Sequence, residues 1–256
     1  MIHATAIIGK NTKIHDSVEI GPYAIIEDEV TIGEGTLIGA HAFIGQYTSL
    51  GKDNHIHPFA SVGSLPQDKK FKNEKSEILI GDNNTIREFV TINRGTSDGG
   101  GITKIGNFNW IMAYVHIAHD CLIGNENIFA NKATLAGHVE VNSKVILGGS
   151  VNIHQFVKVG SHAFLAANSY INMDILPFTM AQGIPASAKG INTEGLKRLN
   201  FDQDEIRLIK SAFKIIFRQK NTLEEALIKL NALNPESESI QLLISAINAS
   251  TRGITR

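Results

Sequence analysis

The stretch Ile20-Gly-Pro-Tyr-Ala-Ile-Ile26-Glu-Asp-Glu-Val-Thr-Ile32-Gly-Glu-Gly-Thr-Leu-Ile38-Gly-Ala-His-Ala-Phe-Ile44 carries an isoleucine at every sixth position. Extended both ways, the count runs without a miss from Ile2, Ile8 and Ile14 to Leu50, Ile56 and Val62. A short patch follows at Ile80, Ile86 and Ile92, and a third run leads from Ile105 through Ile117, Phe129 and Val141 to Ile171. Four residues after these positions the chain is almost always small or β-branched, as at Ala6, Thr12, Val18, Ala24 and Val30. Glycine often follows directly, as at Gly9, Gly21, Gly33, Gly106, Gly124 and Gly148. A period of six is neither helical nor a plain strand alternation. Two inward positions in six mean short strands joined by tight corners. Glycine suits such corners because it takes positive φ without steric cost.

Composition agrees. The 256 residues include 36 Ile against 18 Leu, and only 17 aromatics. That usage suits one regular, narrow interior filled by β-branched side chains. Repeats of this kind resemble the left-handed parallel β-helix, with three hexads in each triangular coil. That resemblance supplies the hand and implies that residues eighteen apart stack roughly 4.8 Å from one another.

With Lys plus Arg at 24 and Asp plus Glu at 25, the formal net charge is −1. This balance argues against a nucleic-acid-coating protein and a polybasic membrane binder. One cysteine, Cys121, excludes an internal disulfide and reads as a core residue. The first residues lack the basic stretch and apolar run of a secretion signal. No run approaches the roughly 18 apolar residues of a membrane span. The expectation is a cytoplasmic protein without an integral membrane segment.

The hexads are interrupted twice. Residues 64–76 hold four lysines and put Asp68 and Glu74 where apolar side chains belong, so this is a degenerate coil or an excursion loop. Residues 94–104, with Arg94-Gly-Thr-Ser-Asp-Gly-Gly-Gly101, form a loop that breaks register. Beyond Pro177 and Pro185 the period becomes helical, with stripes at Ile206–Phe217, Leu223–Leu233 and Ile240–Ile247. Asp202 with Glu205, and Thr222 with Glu225, predict capping boxes, and Pro235 predicts the start of the third helix. The expected organisation is mainly β: a β-helix over 1–185, then an α-helical C-terminal domain over 186–256.

Ten histidines are present. His3, His15, His41, His55 and His57 are scattered and expected to be solvated, whereas His116, His119, His138, His154 and His162 bunch in the second half. Counting by eighteen puts Ala118, Ala136 and His154 in one column, His119, Gly137 and Gln155 in the next, and Asp120, His138 and Phe156 in a third. An imidazole can take a proton from an alcohol, an adjacent carboxylate can hold its tautomer, and a glycine leaves its N–H approachable for an oxyanion. The inventory fits acyl transfer to a hydroxyl. Clustered histidines also raise a metal site, although the closest pair, His116 and His119, is three apart, unlike the spacing of the hexapeptide carbonic anhydrases that the fold resembles.

The segments His116-Ile-Ala-His-Asp120, Leu135-Ala-Gly-His138, His154-Gln-Phe156, Asn192-Thr-Glu-Gly-Leu-Lys-Arg198 and Ser250-Thr-Arg-Gly253 resemble the UDP-N-acetylglucosamine 3-O-acyltransferases of lipid A biosynthesis over the whole chain. The resemblance implies a homotrimer with active sites between neighbouring solenoids, a 3-hydroxyacyl chain delivered on acyl carrier protein, and no metal or cofactor. It implies His119 as general base, Asp120 as its support and the Gly137 N–H as oxyanion donor. Asp68, Lys70, His116, His138, His154 and Gln155 would line the sugar and acyl region. Asn192, Glu194 and Arg198 would lie towards the nucleotide, and Ala167 would form the floor that limits acyl length. Leu199 stands where the family often has a second arginine. Lys197, Arg198, Arg207 and Lys210 are candidate contacts for the acidic carrier. Alternatives at this point are the pathway's N-acyltransferase, an acetyltransferase using acetyl-coenzyme A, and a non-catalytic β-helix scaffold.

Overall fold

The computed structural model describes all 256 residues. Up to Ile171 most strands are only two residues long, such as Ile25–Ile26 and Thr134–Leu135. A strand so short has no stability alone and is held by parallel pairing to the coils on either side. Ile7 pairs with Ile25, Ile25 with Phe43, and Thr134 with Asn152, each eighteen residues on. Three stacks result, of nine, eight and ten strands, parallel throughout except for the last strand of the third, and together they make a left-handed parallel β-helix. The second residue of each strand points inward: Ile26, Ile32, Ile44, Ile56, Ile86, Ile92, Ile111 and Ile117 have essentially no exposure. Each buried aliphatic side chain contributes on the order of 2 kcal/mol.

The corner glycines serve a different purpose from the one their spacing suggested. Gly9, Gly21, Gly33, Gly39, Gly106 and Gly148 do not have positive φ. The left-handed residue comes two places later, at Asn11, Tyr23, Gly35, His41, Phe108 and Ser150, with φ of 55°, 58°, 67°, 58°, 57° and 57°. Glycine is needed because the coils touch: a Cβ at Gly39 would lie 2.5 Å from the Pro58 nitrogen, and one at Gly148 2.5 Å from the Ala167 nitrogen.

Both interruptions are excursions from the prism. Leu50 pairs with Ile80, thirty residues on rather than eighteen, so twelve residues leave the coil and carry Asp68 and Glu74 out of the interior. Twelve is two hexads, which is why the count by six survived. Ile80 pairs with Ile105, twenty-five on, so seven residues leave at the second loop.

One inward column is polar, which the pattern of small residues did not foretell. The Asn54 Oδ1 accepts from the Asn84 N–H (2.9 Å) and Nδ2 (3.0 Å), and the Asn84 Oδ1 accepts in the same way from Asn109 (2.9 and 2.9 Å). The Asn109 Oδ1 then accepts from the Asn127 N–H at 3.0 Å. The spare amide hydrogens of Asn54, Asn84 and Asn109 go to the carbonyls of Gly81, Gly106 and Gly124. The column threads the two coils from which the excursions leave.

The last coil runs into a hairpin, Thr179–Gly183 with Ala186–Ile191, and then four helices: α1 (Thr193–Arg198), α2 (Gln203–Phe217), α3 (Leu223–Leu233) and α4 (Glu238–Ala249). Thr222 and Glu225 form a reciprocal capping box, while Asp202 caps α2 by accepting from the Glu205 N–H. Pro235 does not open α4; Ser237 caps it two residues later, because its hydroxyl satisfies the Ile240 N–H. No helix is long and apolar enough to cross a membrane. The tail returns to the last coil, where Ile254 bridges Asp174 and the Ser250 hydroxyl donates to the Asp174 carboxylate at 2.7 Å.

His162 lies at the seam between coils and helices, stacked on Phe178 and edge-on to Phe201. Its Nδ1 is buried without a partner, and burial pushes its pKa down to about 4. Among the early histidines, His57 is not solvated: its side chain is 18% exposed and its Nδ1 lies 3.4 Å from Glu88 Oε1.

Two outcomes follow from this architecture. Asn84→Ala strands the Asn109 donors and the Gly106 carbonyl inside the prism, so urea unfolding should show a loss of roughly 2–4 kcal/mol. Because the unfolded chain protonates His162 near its ordinary value while the folded chain resists until about 4, acidification between those pH values favours unfolding. The melting temperature of His162→Phe should therefore fall less steeply over that window than that of the parent protein.

Candidate active site

The corner between the nine-stranded and eight-stranded stacks carries the histidine columns. His116 opens the strand His116–Ile117, and residues 118–120, 136–138 and 154–156 are successive copies of the following turn. Stacking is direct: the His138 N–H donates to the His119 carbonyl at 3.0 Å, and the Phe156 N–H to the Gly137 carbonyl at 3.2 Å. The columns counted from the sequence are thus the columns of the molecule.

Asp120 anchors the group, with a side chain wholly shielded from solvent. Its Oδ1 accepts from the Thr96 N–H at 2.8 Å, and its Oδ2 from the Thr96 hydroxyl at 2.6 Å. Its own N–H donates to the Thr103 Oγ1 at 2.8 Å. The His119 Nδ1 lies 2.7 Å from Asp120 Oδ2. A carboxylate can only accept there, so the proton sits on Nδ1 and Nε2 is left with a free lone pair. The imidazole lies over Gly137, where a Cβ would come 2.6 Å from Cε1 and 2.8 Å from Nε2. The Gly137 N–H donates to no protein acceptor. Other turns of the prism leave that N–H free too; here it belongs to the residue that the His119 imidazole covers.

His138 stacks on Phe156 at 4.4 Å between centroids and meets His119 edge-on at 5.1 Å. Burial holds the pKa of His138 below its ordinary value, against the pull of the Asp120 charge. Burial and the nearby His119 lower that of His116, whose Nδ1 is 2.7 Å from the Thr91 hydroxyl. His154 turns its Nδ1 to the Gln155 carbonyl at 3.1 Å, and the Gln155 side chain is exposed. Cys121 is wholly buried and its thiol is pushed up to about 12, which suits packing and not nucleophilic attack.

The excursion loops supply the rest of this wall. Asp68, Lys70, Phe71, Thr96 and Asp98 line a cavity of about 340 Å³ that reaches the residue holding Asp120. Asn192, Glu194 and Arg198 line a separate cleft of about 470 Å³ with Ile146, Phe164 and Met180, on the face of the ten-stranded stack. Ala167 is exposed at yet another corner, between Leu165 and Tyr170. Within one chain the structure does not bring Ala167, Asn192, Glu194 or Arg198 to His119. Asn192 also caps α1, accepting from the Gly195 N–H, and Glu194 pairs with Lys197 at 3.0 Å. Of the basic helix residues, Arg207 is engaged with Asp204.

His119, Asp120 and His138 have ligand atoms within 4.8 Å of one another, close enough for a cation. Asp120 is already committed to Thr96 and His119, and a metal would have to take it from both. Sequence reasoning missed the grip of Thr96 and Thr103 on Asp120. Thr96 sits in the loop that breaks register, and that break pointed towards it.

A stacked-hexad prism with a His–carboxylate pair beside a bare backbone N–H defines a hexapeptide-repeat acyltransferase. Residues 11–46 and 102–137 match the bacterial transferase hexapeptide family, and residues 174–255 match the second domain of UDP-N-acetylglucosamine O-acyltransferase. An acyl-[acyl-carrier-protein]–UDP-N-acetylglucosamine O-acyltransferase of Herminiimonas arsenicoxydans is 48% identical, with 100% of this chain and 99% of the relative covered. The solved UDP-N-acetylglucosamine O-acyltransferase of Moraxella catarrhalis superposes with a TM-score of 0.98 at 43% identity, over 100% of this chain and 99% of that one. The Francisella novicida acyltransferase gives a TM-score of 0.98 at 40% identity, over 100% and 94%. The chain belongs to the UDP-N-acetylglucosamine O-acyltransferase family.

Gly137→Ala should leave the coils intact but displace the imidazole. A misplacement of about 1 Å can cost on the order of a hundredfold in turnover. Steady-state kinetics beside circular dichroism check this.

Proposed function

We propose that this protein transfers a 3-hydroxyacyl chain from acyl carrier protein to the 3-hydroxyl of UDP-N-acetylglucosamine, the first step of lipid A biosynthesis, in the cytoplasm. The observation that carries the chemistry is the 2.7 Å contact of His119 Nδ1 with Asp120, which leaves Nε2 unprotonated beside the Gly137 N–H. His119 Nε2 takes the proton of the sugar 3-hydroxyl as its oxygen attacks the thioester carbon. The Gly137 N–H receives the oxyanion. The carbon–sulfur bond then breaks and the carrier thiol leaves with the proton from His119. Asp120 stabilises the imidazolium in between, and no covalent enzyme intermediate is required.

The working unit in this reading is a homotrimer. Tyr23, His41, Phe59, Phe89 and Tyr114 stack along one corner with centroids 5.0–5.2 Å apart. Tyr23, Phe59, Phe89 and Tyr114 are each between 45% and 58% exposed. So long an apolar ridge on a single chain calls for a partner surface. Of the two faces that meet at this ridge, the nine-stranded one has the histidine columns along its other corner and the ten-stranded one carries the Asn192–Arg198 cleft. Packing three prisms about their ridges would bring the cleft of one against the histidines of the next.

The test is an assay of the purified protein with UDP-N-acetylglucosamine and carrier proteins loaded with hydroxyacyl chains of different lengths. His119→Ala should keep its oligomeric state and lose turnover by on the order of a hundredfold or more. Near-normal turnover in that variant would remove His119 as the base.

A further inference from the structure

We propose that Thr96 is a positioning residue that completes a His119–Asp120–Thr96 relay, and that the seven-residue excursion after Asn93 serves to deliver it. The proposal rests on His119 being the base. Asp120 is held from three sides. Thr96 supplies two donors, its N–H to Oδ1 at 2.8 Å and its hydroxyl to Oδ2 at 2.6 Å. Thr103 accepts from the Asp120 N–H, and a Cβ at Gly99 would fall on the carboxylate itself. The excursion therefore lies flat against Asp120 and shuts out water.

The hydroxyl of Thr96 and the Nδ1 of His119 share one oxygen, Oδ2. A donor to the ionised carboxylate steadies its charge and fixes the direction of its remaining lone pairs. Thr96 thus governs how strongly Asp120 pulls on the imidazolium and where the ring stands over Gly137. The excursion is itself tethered, since the Ser97 N–H and hydroxyl both reach Glu74 Oε1 at 3.2 Å. The loop that carries Asp68 and Lys70 is in this way joined to the acid of the pair through adjacent residues. The other groups facing the pair are His138, 3.8 Å from Oδ2, and His116, with Asp68 and Asp98 beyond them.

Thr96→Val removes the hydroxyl and keeps both shape and backbone donor. We expect kcat to fall by roughly tenfold or more, the scale of one hydrogen bond to a charged group. KM for the nucleotide sugar should hold. The acid limb of the kcat profile should move to higher pH. Without its donor Asp120 either pulls harder on the imidazolium or takes up a proton sooner, and both act in that direction. Thr96→Ser should restore rate and profile. A merely structural role would lower activity equally at all pH and leave the limb in place. An unmoved limb in Thr96→Val, or a change confined to KM, overturns the proposal. Thr96→Ala makes the same deletion if the valine variant does not fold. His119→Ala is assayed alongside. If it stays active the base assignment fails, whereas if it is inactive while Thr96→Val behaves like the parent, only the relay fails.

Discussion

A strand of two residues has no sheet of its own; its hydrogen bonds run only to the strand one coil before and the strand one coil after. Everything else in this molecule depends on that pairing. Because Ile7 must meet Ile25 and Thr134 must meet Asn152, side chains eighteen residues apart are forced into columns. The interior becomes a stack of isoleucines and the exterior a set of ridges. A corner that places Asp120, His138 and Phe156 at positive φ one above another turns a linear spacing into a site.

The same constraint explains why departures from the repeat matter. An insertion cannot be absorbed inside a coil without breaking the pairing of every later coil, so extra residues must leave at a corner and return to it. The two that do so, twelve and seven residues long, leave from neighbouring coils and meet at Glu74 and Ser97. One builds a wall with Asp68 and Lys70, and the other seals Asp120. The asparagine column runs through the coils that carry them, where amide groups reach carbonyls at the strand ends that an alanine or valine would leave unpaired.

Much of the site was legible before any coordinates, because columns are arithmetic once the coil length is known. That His119 neighbours Gly137, and Asp120 neighbours His138, one coil apart, follows from counting. What did not follow was direction. Nothing in the spacing says that the His119 ring leans over Gly137, or that Asp120 turns inward to Thr96 with no exposure. The role of the corner glycines was misread for a related reason: the repeat marks where glycine falls, but only the approach of the next coil, as at Gly39 against Pro58, shows that contact and not φ demands it.

The sequence by itself determined the prism, its period and the set of side chains on each column, because parallel pairing at a constant offset leaves no freedom in which residues are neighbours. The tertiary structure alone decided how excursions fold back, which proton the histidine keeps, and where Asn192, Glu194 and Arg198 stand. Those depend on contacts between segments with no common period: Thr96 with Asp120 across 24 residues, and the tail at Ser250 with Asp174 across 76. A repeat carries information about its own neighbours and none about what meets it from outside.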